Sequence, residues 1–350
     1  MKKIVIILMF LLLFCGCANT EDQSGQESQV IEKNEQQTNG LNENQNAVMT
    51  ENIIDFAQKA IVVDGLQKDY EVWFFADSHI IIQDGEDLDE IQTYSAERKP
   101  IFTNEKGIDS SQILVQFVEM ANEQKPDIVL FGGDILDSPS EANIAFLESE
   151  LEKLAIPYLF VMGNHDWTYP WEYMTEEGKA KYRPLLDNIM YGNDYPVQEE
   201  NSEKNLIPNV KSSSYYSIAE FEDIVFLAVD DSSNQVAEEA VEGIEQAYAS
   251  GKPIILIQHV PFSTEQLIAK AKENWANPVT IGMQVHGGIA PNAVSADLFS
   301  KVFDDESQIK AVLAGHVHFA YEEQISDSTV EIVTDAAFKG KAVKLILSGK

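Results

Sequence analysis

Six histidines occur in the 350 residues, at positions 79, 165, 259, 286, 316 and 318, and five of them follow closely on short apolar runs. After the run 71–75 comes Asp77-Ser78-His79; after 127–131, Gly132-Gly133-Asp134, with Asp137 three residues on. After 158–162 comes Gly163-Asn164-His165-Asp166; after 253–257 and one glutamine, His259; after 310–314, Gly315-His316-Val317-His318. Carboxylates, imidazoles and one amide oxygen, without a thiolate, suit borderline or hard divalent ions such as Mn²⁺, Fe²⁺ or Zn²⁺. The candidate ligands are Asp77, His79, Asp134, Asn164, His259, His316 and His318. Seven ligands exceed the needs of one tetrahedral ion, whereas two ions sharing a bridging carboxylate accommodate them.

Groups so far apart in sequence need a scaffold that gathers them. Runs of about five residues rich in Val, Ile and aromatics, bounded by Gly or charge, read as strands buried on both faces. The run 224–229 is a further one. Helical patterns lie between them: Ser110 can cap a helix with Ile113, Phe117 and Met120 on one face; Ile144, Leu147, Leu151 and Leu154 mark a second; a third spans about 237–250 and stops at Gly251, before Pro253. Strand and helix in alternation specify an α/β domain with βαβ crossovers. In open α/β sheets ligands bind outside the carboxyl ends of the strands, where these side chains would converge. Two stretches, 80–107 and 167–213, are long and read as irregular, which in a compact domain points to function or disorder.

Asp-x-His, Gly-Gly-Asp-x-x-Asp, Gly-Asn-His-Asp, a single His after a strand, and Gly-His-x-His, in this order, resemble the five signature blocks of the calcineurin-like metallophosphoesterase superfamily. The likeness extends from about residue 70 to 320. It implies a four-layer α-β-β-α sandwich with mixed central sheets. It also implies a phosphoester hydrolase in which a hydroxide bridging two metal ions attacks phosphorus in line. By the same resemblance Asp77, His79 and His318 hold one ion, Asn164, His259 and His316 the other, and Asp134 bridges them. His165 would face the phosphate and either stabilise its charge or protonate the leaving oxygen, with Asp166 orienting it. Asp137 reads as lying behind the ligands or at a helix entry before Ser138-Pro139. It stands where purple acid phosphatases carry a tyrosine, and no arginine stands near the second and third blocks as in Ser/Thr protein phosphatases. His286 reads as an exposed loop residue, and Asp230 and Asp231 as turn or cap residues. Trp167, Tyr169, Trp171, Tyr173 and Trp275 could wall a substrate pocket or pack an insertion.

The chain starts with Lys2 and Lys3, an apolar run from Ile4 to Phe14, and then Cys15-Gly16-Cys17. Eleven apolar residues fall short of the roughly 20 that span a bilayer as a helix, so the run reads as a signal-peptide core. Gly16-Cys17 resembles a bacterial lipobox, which implies lipidation at Cys17 and an exported domain held to the membrane by that anchor alone. Residues 18–60 read as a disordered tether; positions 18–50 hold 12 Asn or Gln and no aromatic residue. Residues 61–350 form the catalytic domain. With both cysteines in the leader, disulfides and thiol catalysis are excluded there. The chain carries 24 basic and 58 acidic side chains, net −34. The leader contributes +2 and 18–60, with eight acids and two lysines, −6, which leaves −30 on the domain. That acidity excludes a general grip on nucleic-acid backbone and a polybasic membrane module, and favours a small phosphoester substrate. The competing reading is a non-catalytic surface lipoprotein that binds metal or ligand on the same fold. Oligomeric state is not specified by the sequence.

Overall fold

In the computed structural model, which describes residues 52–83, 89–168, 176–190, 209–274 and 290–349, alternate side chains of the central strands face different layers. Strand β2 (Tyr70–Phe75) turns Tyr70, Val72 and Phe74 inward. Trp73 and Phe75 point outward onto Phe117, with ring centroids 5.7 and 4.4 Å away. Burial of one such side chain contributes roughly 1.5–3 kcal/mol.

β2 belongs to a five-stranded sheet in the order β1-β12-β2-β3-β4, with β1 (Asp55–Val62), β3 (Ile128–Phe131), β4 (Tyr158–Phe160) and β12 (Lys341–Ser348). The second, seven-stranded sheet runs β10-β11-β9-β8-β7-β6-β5. Its strands are β5 (Asn209–Ser212), β6 (Tyr216–Glu220), β7 (Val225–Val229), β8 (Ile254–Ile257), β9 (Ile309–Ala314), β10 (Tyr321–Gln324) and β11 (Val330–Val333). Both sheets are mixed: β2, β3 and β4 are parallel, as are β7, β8, β9 and β11, while β12 runs against β2 and β10 against β11.

The sheets share one core. Val72, Phe74, Ile128, Leu130 and Leu345 from the first meet Phe226, Ala228, Ile255, Ile257 and Leu313 from the second. Helices cover the outer faces. α2 (Ser110–Gln124) lays Phe117 on the first sheet; α6 (Val241–Ala249) and α8 (Ala293–Val302) lay Ile244, Ala247, Leu298 and Val302 on Val225, Leu227, Ile254 and Leu256 of the second. This is the expected four-layer α-β-β-α order. α3 (Glu141–Leu151) makes the β3–β4 crossover, and α7 (Glu265–Asn274) leaves the loop after β8.

Several boundaries differ from expectation. The folded unit begins at Ile53, because β1, placed in the tether by its polar composition, pairs in parallel with β12 over its whole length. Asp55 and Lys59 cancel, so the domain charge stays at −30. The helix at 110 is capped by Asp109, whose side chain accepts the Ser111 N–H while Gln112 reaches back to the Asp109 N–H; Ser110 is its first residue. The stretches read as irregular contain α1 (Asp89–Arg98), a 3₁₀ turn (Lys99–Phe102) and α5 (Glu176–Met190). α1 offers little apolar periodicity and α5 carries Pro184 in its interior, so neither shows a helical stripe in the sequence.

Candidate metal centre

The loops behind β2 and β3 run side by side as a short continuation of the sheet. Asp77 N–H donates to the Gly133 carbonyl (2.9 Å), His79 N–H to Asp134 O (2.9 Å) and Ile80 N–H to Ile135 O (2.8 Å). Asp77, His79, Asp134, His316 and His318 all have positive φ, between 47° and 71°. Left-handed backbone at a non-glycine residue costs about 1–3 kcal/mol and persists where surrounding contacts enforce it.

Those contacts come largely from buried carboxylates that grip the neighbouring loop. Both Asp77 oxygens accept the His316 N–H (2.9 and 3.0 Å), and Asp134 Oδ1 accepts the His165 N–H (2.8 Å). Asp231 Oδ1 and Oδ2 accept the N–H groups of His259 (2.8 Å) and Val260 (2.9 Å), which gives it the loop-holding role expected of it. Glycines permit the close approach: a Cβ at Gly163 would overlap Asp134 Oδ1, and one at Gly315 would lie 2.5 Å from Asp77 Oδ2.

The side chains then form two groups around one carboxylate. Ligand atoms of Asp77, His79, Asp134 and His318 lie within 4.8 Å of one another, as do those of Asp134, His259 and His316. In the first group His79 Nε2 is 3.0 Å from His318 Nε2, and His318 Nε2 is 3.5 Å from Asp77 Oδ1. In the second, His316 Nδ1 is 3.2 Å from His259 Nε2. Asp134 Oδ2 stands between the groups, 3.3 Å from His259 Nε2 and 3.8 Å from His79 Nε2. His259 Nδ1–H donates to the Gly132 carbonyl (2.8 Å), which commits Nε2 to the centre. Asn164 opens α4 (Asn164–Thr168), next to His165 and on the same side of the Asp134 loop.

Charge is concentrated without solvent. Burial works to raise the pKa of Asp134, but His259 and His165 outweigh it and hold the carboxyl well below the ordinary range. Burial pushes His79 down to about 4 and, with His259 beside it, His316 down to about 3, so both offer neutral lone pairs. His259 is held up at about 10 against its burial, chiefly by Asp134. Ionised carboxylates facing neutral imidazole nitrogens 3.0–3.2 Å apart form a donor set that divalent cations satisfy.

His165 is oriented by a different residue from the one expected. Asp166 is fully buried and turns its oxygens to the N–H groups of Asp134 (2.8 Å), Leu136 (2.8 Å) and Gly163 (2.7 Å), where burial and the Asp134 charge raise its pKa to about 7. Three backbone donors consume the carboxylate, which binds the second and third blocks together instead of steering an imidazole. The partner of His165 is Asp137: its Oδ1 lies 3.1 Å from His165 Nδ1 and 3.2 Å from His79 Nδ1. Asp134 and Asp137 together raise the pKa of His165 against its burial. Asp137, His79 and His165 form a third group with metal-ligand spacing, but Arg98 already places a cation on Asp137.

Trp167 donates Nε1–H to Ser232 Oγ (2.9 Å) and lies under Arg183, so this member of the aromatic stretch packs the insertion. Tyr169, Trp171, Tyr173, Trp275, His286 and Cys17 lie outside the described residues. Among the described residues no helix is long and apolar enough to cross a membrane.

Residues 70–320 match the calcineurin-like phosphoesterase family, and the chain belongs to it. The family and the His/Asp cluster together make the protein a metal-dependent hydrolase of phosphoester bonds, with a centre suited to two divalent ions. A curated relative, one of the two components of the nuclease SbcCD from Staphylococcus epidermidis, is 25% identical over 223 residues, covering 61% of this chain and 52% of its own length. The chain thus spans about half of that relative. Among solved structures, a dimetal phosphatase from Danio rerio aligns at TM-score 0.42 and 12% identity, over 77% of this chain and 88% of the other. The phosphopantetheinyl hydrolase of Mycobacterium tuberculosis aligns at 0.37 and 10%, over 78% and 92%.

Proposed function

We propose that the protein hydrolyses small phosphomonoesters or phosphodiesters at a dinuclear centre. The observation that carries this reading is the position of Asp134, whose one oxygen faces both ligand groups. Asp77, His79 and His318 would hold one ion, Asn164, His259 and His316 the other, and Asp134 both. Bound there, two divalent ions would supply nucleophile activation and a clamp on the phosphoryl oxygens during in-line displacement. His165 donates Nδ1–H to Asp137, which leaves Nε2 as the nitrogen that can stabilise a phosphoryl oxygen or protonate the leaving one. Mn²⁺, Fe²⁺ and Zn²⁺ all fit the donor set.

The domain charge of −30 supports a small substrate, since attraction for phosphate comes from the centre while the remaining surface repels long polyanions. The leader supports export with an anchor at Cys17, so that the domain works outside the cytoplasm. The test is to load the full chain with each metal separately and assay phosphomonoesters, phosphodiesters, nucleotide pyrophosphates and oligonucleotides, the last because of the nuclease relative. Hydrolysis of small esters with at least one metal is expected, and of oligonucleotides much less. Loaded protein that turns over none of the panel contradicts the reading.

A further inference from the structure

Arg98 ends α1, in an insertion far from the five blocks, yet its guanidinium reaches the middle of the site. Nε–H donates to Asp137 Oδ2 and an Nη2 hydrogen to Asp137 Oδ1, both at 2.7 Å. Asp137 is fully buried. The segment around Arg98 is fastened to the body. Lys99 donates to the Ile81 carbonyl (3.1 Å) and pairs with Asp109 (3.1 Å), while Phe102 stacks on the His79 ring at 4.3 Å and 9°. The guanidinium in turn lies over the Tyr94 and Phe102 rings, at 5.1 and 4.9 Å.

A carboxylate between two imidazoles has a choice. Rotation about its last side-chain bond is soft, so each imidazole could draw its own oxygen. The observed arrangement is unequal: Oδ1 serves both His79 Nδ1 and His165 Nδ1, while Oδ2 is taken by Arg98. Two parallel bonds from a rigid fork fix the carboxylate plane in a way that a lysine, a point charge, cannot. We infer that Arg98 is a positioning residue: it locks Asp137 so that one oxygen orients the metal-ligating His79 and the phosphate-facing His165 together. The inference rests on the reading of His165 given above, and it ties the α1 insertion to the chemistry.

Arg98→Lys and Arg98→Met in the full chain test it, with circular dichroism to establish folding. The first readout is independent of turnover. In the metal-free protein the hydrogen-bonded Nδ1 protons of His79 and His165 should both give downfield NMR signals, lost or shifted together in Arg98→Met and partly retained in Arg98→Lys. Unchanged signals in both variants overturn the inference, whatever the protein hydrolyses. The second readout is kinetic. A misplaced imidazole should lower kcat about 10–100-fold in Arg98→Met, less in Arg98→Lys, with KM within about threefold. The loss should be larger for alkyl than for nitrophenyl phosphoesters. A fall that is equal for both leaving groups assigns Arg98 a structural role only. His165→Asn separates the two failures: if it leaves kcat intact, the catalytic reading of His165 falls, while the NMR signals still decide the role of Arg98.

Discussion

Asp166 and His165 are neighbours with separable duties, and substitution tells them apart. Asp166→Ala leaves three buried N–H groups without their acceptor, so it should cost about 3–5 kcal/mol in urea unfolding of the metal-free chain. His165→Asn should unfold like the wild type and lower kcat by roughly 10²–10⁴. A stable, inactive Asp166→Ala would reverse the assignment. Gly163→Ala should abolish metal binding in calorimetry, because the added methyl displaces the bridging Asp134 carboxylate. At this scale the sequence was highly legible for the ligands, since each sits one to five residues beyond an apolar run. The partner of His165 was not. Asp137 and Asp166 are both acids near a histidine, and only the backbone donors converging on Asp166 show which is occupied. Arg98 lay beyond sequence reading altogether: it approaches through space from a helix without a stripe.

Among elements, the strands read correctly are those buried on both faces, where an apolar run survives uninterrupted. β1 and β12, with burial alternating along them, and the charged β10 present half of each strand to solvent, which erases the run without weakening the pairing. β11 illustrates a buried exception. Glu331 is fully enclosed, accepts the Phe262 N–H through Oε1 (2.8 Å) and faces Glu323 across the β10–β11 pair. Burial first, and Glu323 second, raise its pKa from 4.5 to about 8. The folded state therefore holds a proton that the unfolded chain releases between those values, and stability should fall as pH rises from about 4.5 to 8. Glu331→Gln keeps the acceptor and cannot ionise. Its stability relative to wild type should rise across that window, measured by urea unfolding at pH 5 and pH 8.5; a constant difference would show that Glu331 does not titrate there.

For the whole molecule, the two sheets bring strand ends from residues 77 to 318 to one edge of the sandwich, and an acidic surface surrounds that point. Raising ionic strength should therefore improve KM for an oligonucleotide much more than for a mononucleotide, because screening relieves repulsion that grows with substrate charge. Equal salt dependence would place the acidity away from the substrate path. The shared carboxylate remains the point on which everything turns. Anomalous diffraction from crystals of the Mn²⁺-loaded protein addresses it directly. Two peaks flanking Asp134 Oδ2, one beside His79 and His318 and one beside His259 and His316, are expected, with Asp134→Asn losing at least one peak and all hydrolysis. A single peak, or an Asp134→Asn protein that still hydrolyses phosphoesters, contradicts a dinuclear centre bridged by Asp134.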